Sequence, residues 1–103
     1  MSVLGEWDVS IKTPVGSLQI VYRFYVNDGV LGGEAAGPNE TVPCTDIVAI
    51  EGAEGQRVRW RQTVTKPMKL NLEFDVLVEG DQLGGHSRAG RLPRSTVTGT
   101  RRR

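Results

Sequence analysis

Every second position is apolar along two stretches of the chain. Leu18, Ile20, Tyr22, Phe24 and Val26 alternate with Gln19, Val21, Arg23 and Tyr25, and Leu70, Leu72, Phe74, Val76 and Val78 alternate with a series that includes Asn71, Glu73 and Asp75. A period of two is that of a strand with one buried face, and no segment keeps a helical period. The acids of the second run set the phase, because a slip of one residue would turn them into the interior. The same logic sends Val58, Trp60, Gln62 and Val64 inward with Arg57, Arg59 and Arg61 outward, and points Trp7, Val9 and Ile11 in. Turn signals divide the chain into eight strands at 4–12, 17–26, 30–36, 42–50, 57–65, 69–78, 82–89 and 95–101. The dividers are Thr13-Pro14-Val15-Gly16, Asn27-Asp28-Gly29, Gly37-Pro38-Asn39, the 51–55 connection, Lys66-Pro67 and Glu79-Gly80-Asp81.

The second half of the chain is a diverged copy of the first. Trp7 and Pro14 stand seven residues apart, as do Trp60 and Pro67, and Leu31-Gly32-Gly33 recurs as Leu83-Gly84-Gly85. The offset is 53 at the tryptophans, 52 through the apolar runs and 50 at Pro43/Pro93, so the copies differ by small loop insertions. Eight short antiparallel strands have two edges to protect, and closure removes both. The expectation is an all-β, eight-stranded antiparallel up-and-down β-barrel with an internal pseudo-two-fold repeat. It is a single domain over residues 1–103, with half-repeats at about 4–50 and 57–101. A two-sheet sandwich is the rival arrangement. An eight-stranded barrel has room to be filled by its own side chains or to hold one small ligand.

Composition narrows the function more than it defines it. A chain of 103 residues with net charge +1 has no global field to steer it to nucleic acid or to an anionic membrane. One cysteine and one histidine leave no internal disulfide and no metal constellation, so neither a metal nor a cofactor is expected. The first residues show no basic segment followed by an apolar one, and no apolar run approaches the roughly 20 residues of a membrane helix, so a soluble, cytoplasmic protein is expected. The arginines of the fifth strand read as partners of carboxylates on the sixth, Arg61 facing Glu73 and Arg59 facing Asp75, rather than as a phosphate-binding stripe.

Gly5-Glu6-Trp7 opens the first strand and Thr100-Arg101 closes the last. The pair resembles the calycin superfamily, the lipocalin-like barrels, in which a Gly-x-Trp on the first strand packs against an arginine from the final strand. The resemblance implies the meander layout and an Arg101 that covers the Trp7 ring by cation–π contact. The chain is shorter than a lipocalin and lacks its flanking helix and disulfide. Allene-oxide-cyclase-like and Diels–Alderase barrels share the layout, and no family active site is carried over.

Candidate site residues follow from the inward set. Apolar walls with a few polar handles suit a small organic molecule. Tyr22, Phe24, Trp60, Gln62, Leu72 and Phe74 are the expected ligand-binding residues, with Tyr22 and Gln62 setting orientation. The expected function is binding of a small hydrophobic or aromatic molecule in the barrel. The alternative is a cofactor-free cyclase, isomerase or lyase in the same cavity, with His86, Glu34 and Tyr22 as catalytic groups. Glu34 and His86 occupy equivalent repeat positions, and alternation places both outside unless a bulge at a Gly-Gly inverts the phase. Cys44 and Asp46 share a face by simple alternation, and a Cys44 nucleophile would need His86 beside it. A third reading is a filled barrel with no ligand, in which Tyr25 and Val21 mark a homodimer face.

Overall fold

The computed structural model describes residues 3–13, 16–65 and 69–102. Among them are eight strands: β1 (Gly5–Thr13), β2 (Gly16–Asn27), β3 (Val30–Ala36), β4 (Thr41–Glu51), β5 (Gln56–Val64), β6 (Leu70–Glu79), β7 (Gln82–Ala89) and β8 (Ser95–Arg101). Each pairs antiparallel with its neighbours in chain order, and β8 returns to β1, so the sheet is a closed up-and-down barrel rather than a sandwich. Strand ends agree with the sequence reading to within a residue. The turns expected at Pro14-Val15 and Lys66-Pro67 lie outside the described residues, as does Arg103.

The repeat is visible in the register. Trp7 lies opposite Tyr22 and Trp60 opposite Phe74. Phe24 lies opposite Gly33 and Val76 opposite Gly85, again at equivalent positions of the two halves. These inward glycines yield space to the neighbouring strand. A Cβ on Gly33 would stand 2.7 Å from the Phe24 ring, and one on Gly85 would stand 2.0 Å from the Asp75 carbonyl oxygen. Close approach across the ladder, by the Phe24 ring at Gly33 and by the β6 backbone at Gly85, accounts for a glycine at both positions.

One end of the barrel is plugged. Trp7 is fully buried, and its indole Nε1 donates to the Val3 carbonyl at 2.8 Å. The Arg101 guanidinium lies 4.4 Å from the Trp7 ring centroid. It is held there by Asp81 at 2.9 Å and by donation to the Leu4 carbonyl. Gly5 sits beside it with φ +115°, a backbone conformation that L side chains rarely adopt. The cation–π contact expected between Arg101 and Trp7 is present.

Above this plug four rings fill the middle of the barrel. Trp60 stacks on Phe74 with centroids 4.9 Å apart, and Tyr22 and Phe24 meet Trp60 edge-on at 5.4 and 5.2 Å. Such pairs contribute about 0.5–1.5 kcal/mol each beyond the area they bury.

Two sequence expectations are corrected. Cys44 and Asp46 do not share a face, because β4 carries a bulge: Thr45 faces Arg61, yet Val48 faces Arg59, so Asp46 and Ile47 together oppose Trp60. Asp46 takes φ +53°, a left-handed conformation that aspartate tolerates better than most residues. The extra residue keeps Cys44 inside while moving the Asp46 carboxylate out to solvent, 4.0 Å from Arg61. The second correction concerns Asp75. Arg59 does lie opposite it in the ladder, but the carboxylate forms its two-pronged ion pair with Arg57, at 3.0 and 3.1 Å. The diagonal neighbour two positions along is within reach of so long a side chain. Arg61 does pair with Glu73, at 3.4 Å.

Replacing Gly85 with alanine should destabilise the barrel by about 1–3 kcal/mol, the usual cost of overpacking. Gly84→Ala should stay within about 0.5 kcal/mol, since its Cβ would meet only ordinary contacts. Urea unfolding of both variants checks the inward phase of β7.

Candidate functional site

The end of the barrel opposite the Trp7 plug opens into a cavity of about 540 Å³. Its walls are the outer ends of the alternating runs, lined by Leu18, Ile20, Val64, Leu70 and Leu72. Leu92 and Pro93 of the β7–β8 loop lean over the mouth, and Asn39, Glu40 and Arg88 stand at the rim. The Glu40 carboxylate accepts from the Thr65 amide at 2.8 Å and from the Thr65 hydroxyl at 2.6 Å. That tie fixes the β3–β4 loop against the end of β5.

Among the described residues Gln62 and Ser87 are the buried polar ones, at 2% and 4% exposure, and both line the cavity. Gln62 Oε1 accepts two hydrogen bonds, from the Tyr22 hydroxyl at 2.8 Å and from Trp60 Nε1 at 3.0 Å. The indole N–H can only donate, so the amide is oriented without ambiguity: oxygen toward the rings, Nε2 away from them. Neither Nε2 nor the Ser87 hydroxyl has a hydrogen-bond partner among the described residues. No fully sealed side-chain polar atom lacks a partner there either, so the two groups owe their freedom to the open cavity. A donor left unmatched in a sealed interior would cost about 1–3 kcal/mol.

These two residues are also where the repeat breaks. The equivalent of Gln62 in the first half is Val9, and the equivalent of Ser87 is Ala35. Both counterparts are buried and apolar. The fold accepts hydrocarbon at these positions, so the polar pair is an addition to one side of the cavity.

Of the six residues expected to bind a ligand, Gln62 and Leu72 line the cavity. Tyr22, Phe24, Trp60 and Phe74 form the ring cluster beneath it. The Tyr22 hydroxyl is committed to Gln62, and burial, with the nearby Cys44, pushes its pKa well above the usual phenol value. Glu34 and His86 lie on the outer face. Glu34 is 3.6 Å from Arg23, and His86 lies opposite Asp75 in the ladder. Neither Gly-Gly inverts the phase, so the imidazole and the carboxylate do not share a cavity. His86 borders a second, charged groove of about 750 Å³ outside the barrel, walled by Arg59, Arg61, Glu73 and Asp75. Both carboxylates are already paired on the protein itself, Glu73 with Arg61 and Asp75 with Arg57.

Cys44 is buried, and desolvation, helped by the Glu34 charge, lifts its thiol from an ordinary 9.0 to about 12. It is a protonated filler rather than a nucleophile, and His86 is on the outer side of the barrel wall. Among the described residues no group of three or more histidine, cysteine or acidic side chains could hold a metal ion. No helix among them is long and apolar enough to cross a membrane.

Sequence reasoning passed over Ser87, Ile20, Leu18 and Leu70 as site residues. Ser87 had a signal, as the hydroxyl among inward positions that are otherwise apolar or glycine on its strand. For the three aliphatics alternation marks an inward face but does not distinguish core from cavity wall. Compared with known proteins, the chain matches no family model, no curated protein and no solved structure.

The raised thiol gives a pH dependence with a definite sign. Cys44 and Tyr22 are protonated when folded and ionise more readily when unfolded, so their contribution is complete below pH 9.0 and declines above it. Stability should fall between pH 9.0 and about 12, with Cys44 contributing at most about 1.4 kcal/mol per pH unit. Cys44→Ala should be less steep over the first part of that range. An unchanged slope in denaturant melts at stepped pH would place the thiol in solvent.

Proposed function

We propose that this barrel binds a small hydrophobic or aromatic organic molecule in its open end. The observation that carries the reading is a cavity of about 540 Å³ with aliphatic walls, lined also by two buried polar side chains, of which Gln62 Nε2 and the Ser87 hydroxyl have no hydrogen-bond partner among the described residues. Burying a ligand's apolar surface contributes roughly 25 cal/mol per Å², before the cost of immobilising it. The ring cluster gives the cavity a rigid floor, and the plug of Trp7 and Arg101 closes the far end, so the bound molecule has one way in and out. The Gly5-Glu6-Trp7 signature beneath Arg101 supports reading the architecture as lipocalin-like within the calycins. Binding is favoured over catalysis because Glu34 and His86 stand outside the barrel and Tyr22 is engaged with Gln62.

A neutral environment-sensitive dye such as N-phenylnaphthylamine should gain fluorescence in the wild-type protein. Leu72→Trp, which fills the cavity from its wall, should weaken dye binding at least about tenfold, because the lost space removes most of the buried ligand area. Its thermal unfolding should remain near that of the wild type. No dye uptake by the wild type, or equal uptake by a folded Leu72→Trp, would overturn the reading.

A further inference from the structure

We infer that the ligand enters polar end first and that this end is an uncharged hydrogen-bond acceptor: the carbonyl of an aldehyde, ketone, ester or amide carried on an apolar body. The inference rests on the binding role proposed above and specifies its chemistry. Gln62 Oε1 is saturated by Tyr22 and Trp60, so what the amide offers the cavity is its Nε2 donor. The Ser87 hydroxyl beside the same cavity can donate or accept. A carbonyl oxygen, with two lone pairs and no proton, is the complement of that pair.

Charge is selected against from the surroundings. Among the described residues the base of the cavity holds no cation, and the charged groups that line it, Arg88 and Glu40, stand at the rim. A carboxylate carried to the base would lose its hydration with only neutral donors in return. An ammonium would meet an amide donor and a hydroxyl with no anion. Tyr22 and Trp60 act here as positioning residues: neither touches the ligand, and together they hold the amide so that its donor faces the cavity. The two-fold counterparts Val9 and Ala35 carry no such groups, so the head has one preferred side of the barrel.

Three ten-carbon probes test this by displacement of the bound dye: methyl octyl ketone, decane and decanoate. The ketone should bind about tenfold more tightly than decane, the discrimination that one well-made hydrogen bond in a dry site supplies. Decanoate at neutral pH should bind more weakly than the ketone. In Ser87→Ala, whose counterpart Ala35 shows that the site tolerates a methyl, the ketone preference should shrink. In Gln62→Met, which keeps the length and leaves a weak acceptor for Tyr22 and Trp60, it should vanish. Should Gln62→Met fail to fold, infrared spectroscopy of carbonyl-labelled ketone on the wild type decides the point. The carbonyl stretch should sit below its frequency in hydrocarbon and move back upward in Ser87→Ala. Ketone and decane binding alike, or a carbonyl frequency equal to that in hydrocarbon, overturns the head-first inference while leaving the binding role intact. Decanoate binding as tightly as the ketone also overturns it, since the charged head would then sit at the rim by Arg88. Failure of all three probes to displace a dye that the wild type takes up likewise overturns the head-first inference, whereas a wild type that takes up no dye removes the binding role itself.

Discussion

The seam between β1 and β8 is the constraint from which the rest follows. Six ladder positions, from Trp7 opposite Arg101 to Lys12 opposite Thr96, join the two ends of the chain. Closure creates an inside, and only then does alternation along a strand become a division between interior and solvent. The seam is locked at one end of the molecule. Arg101 continues the last strand, covers the Trp7 ring, and is anchored by Asp81 and the Leu4 carbonyl. Locking that end tightly leaves the opposite end free to remain open.

Within the closed wall, duplication supplies a symmetric scaffold, and the proposed binding rests on the departures from it. Equivalent pairs such as Phe24–Gly33 and Val76–Gly85 solve the same packing problem twice. Gln62 and Ser87 solve no packing problem, because Val9 and Ala35 fill the corresponding volume with hydrocarbon. A buried amide carries a desolvation cost that a valine does not. The hydrogen bonds from Tyr22 and Trp60 offset part of that cost and also fix which way the amide points. The other half of the amide, Nε2, has no hydrogen-bond partner among the described residues. A second-half phenylalanine, Phe74, stands at the position equivalent to Tyr22, so the hydroxyl that steers Gln62 is itself a break in the repeat.

Much of this was legible before any coordinates. Strand number, phase and inward rings follow from short-range pattern and a repeat, and the Arg101–Trp7 contact from the resemblance carried by Gly5-Glu6-Trp7 and Thr100-Arg101. For Glu34 and His86 alternation favoured the outside but left a bulge open. The bulge at Asp46 was missed, because inserting one residue into a ladder leaves no mark on composition and the Ile47-Val48-Ala49-Ile50 run that follows is apolar at both parities and fixes no phase. The partner of Asp75 was missed for a related reason. Sequence offers a register but not the reach of a guanidinium along it.

Alternating polarity and turn signals by themselves determined eight strands with Tyr22, Phe24, Trp60 and Phe74 on their apolar faces, since period-two burial is a local property of the backbone. The pairing of β8 with β1 then decided a barrel over a sandwich. Only the tertiary structure decided how that interior is apportioned between filled core and open cavity. The sequence places Leu72 and Phe74 on the same face with equal claim to either fate. Their separation depends on how deep each lies along the barrel axis and on what the other seven strands put opposite it, a property of all the strands together rather than of any one.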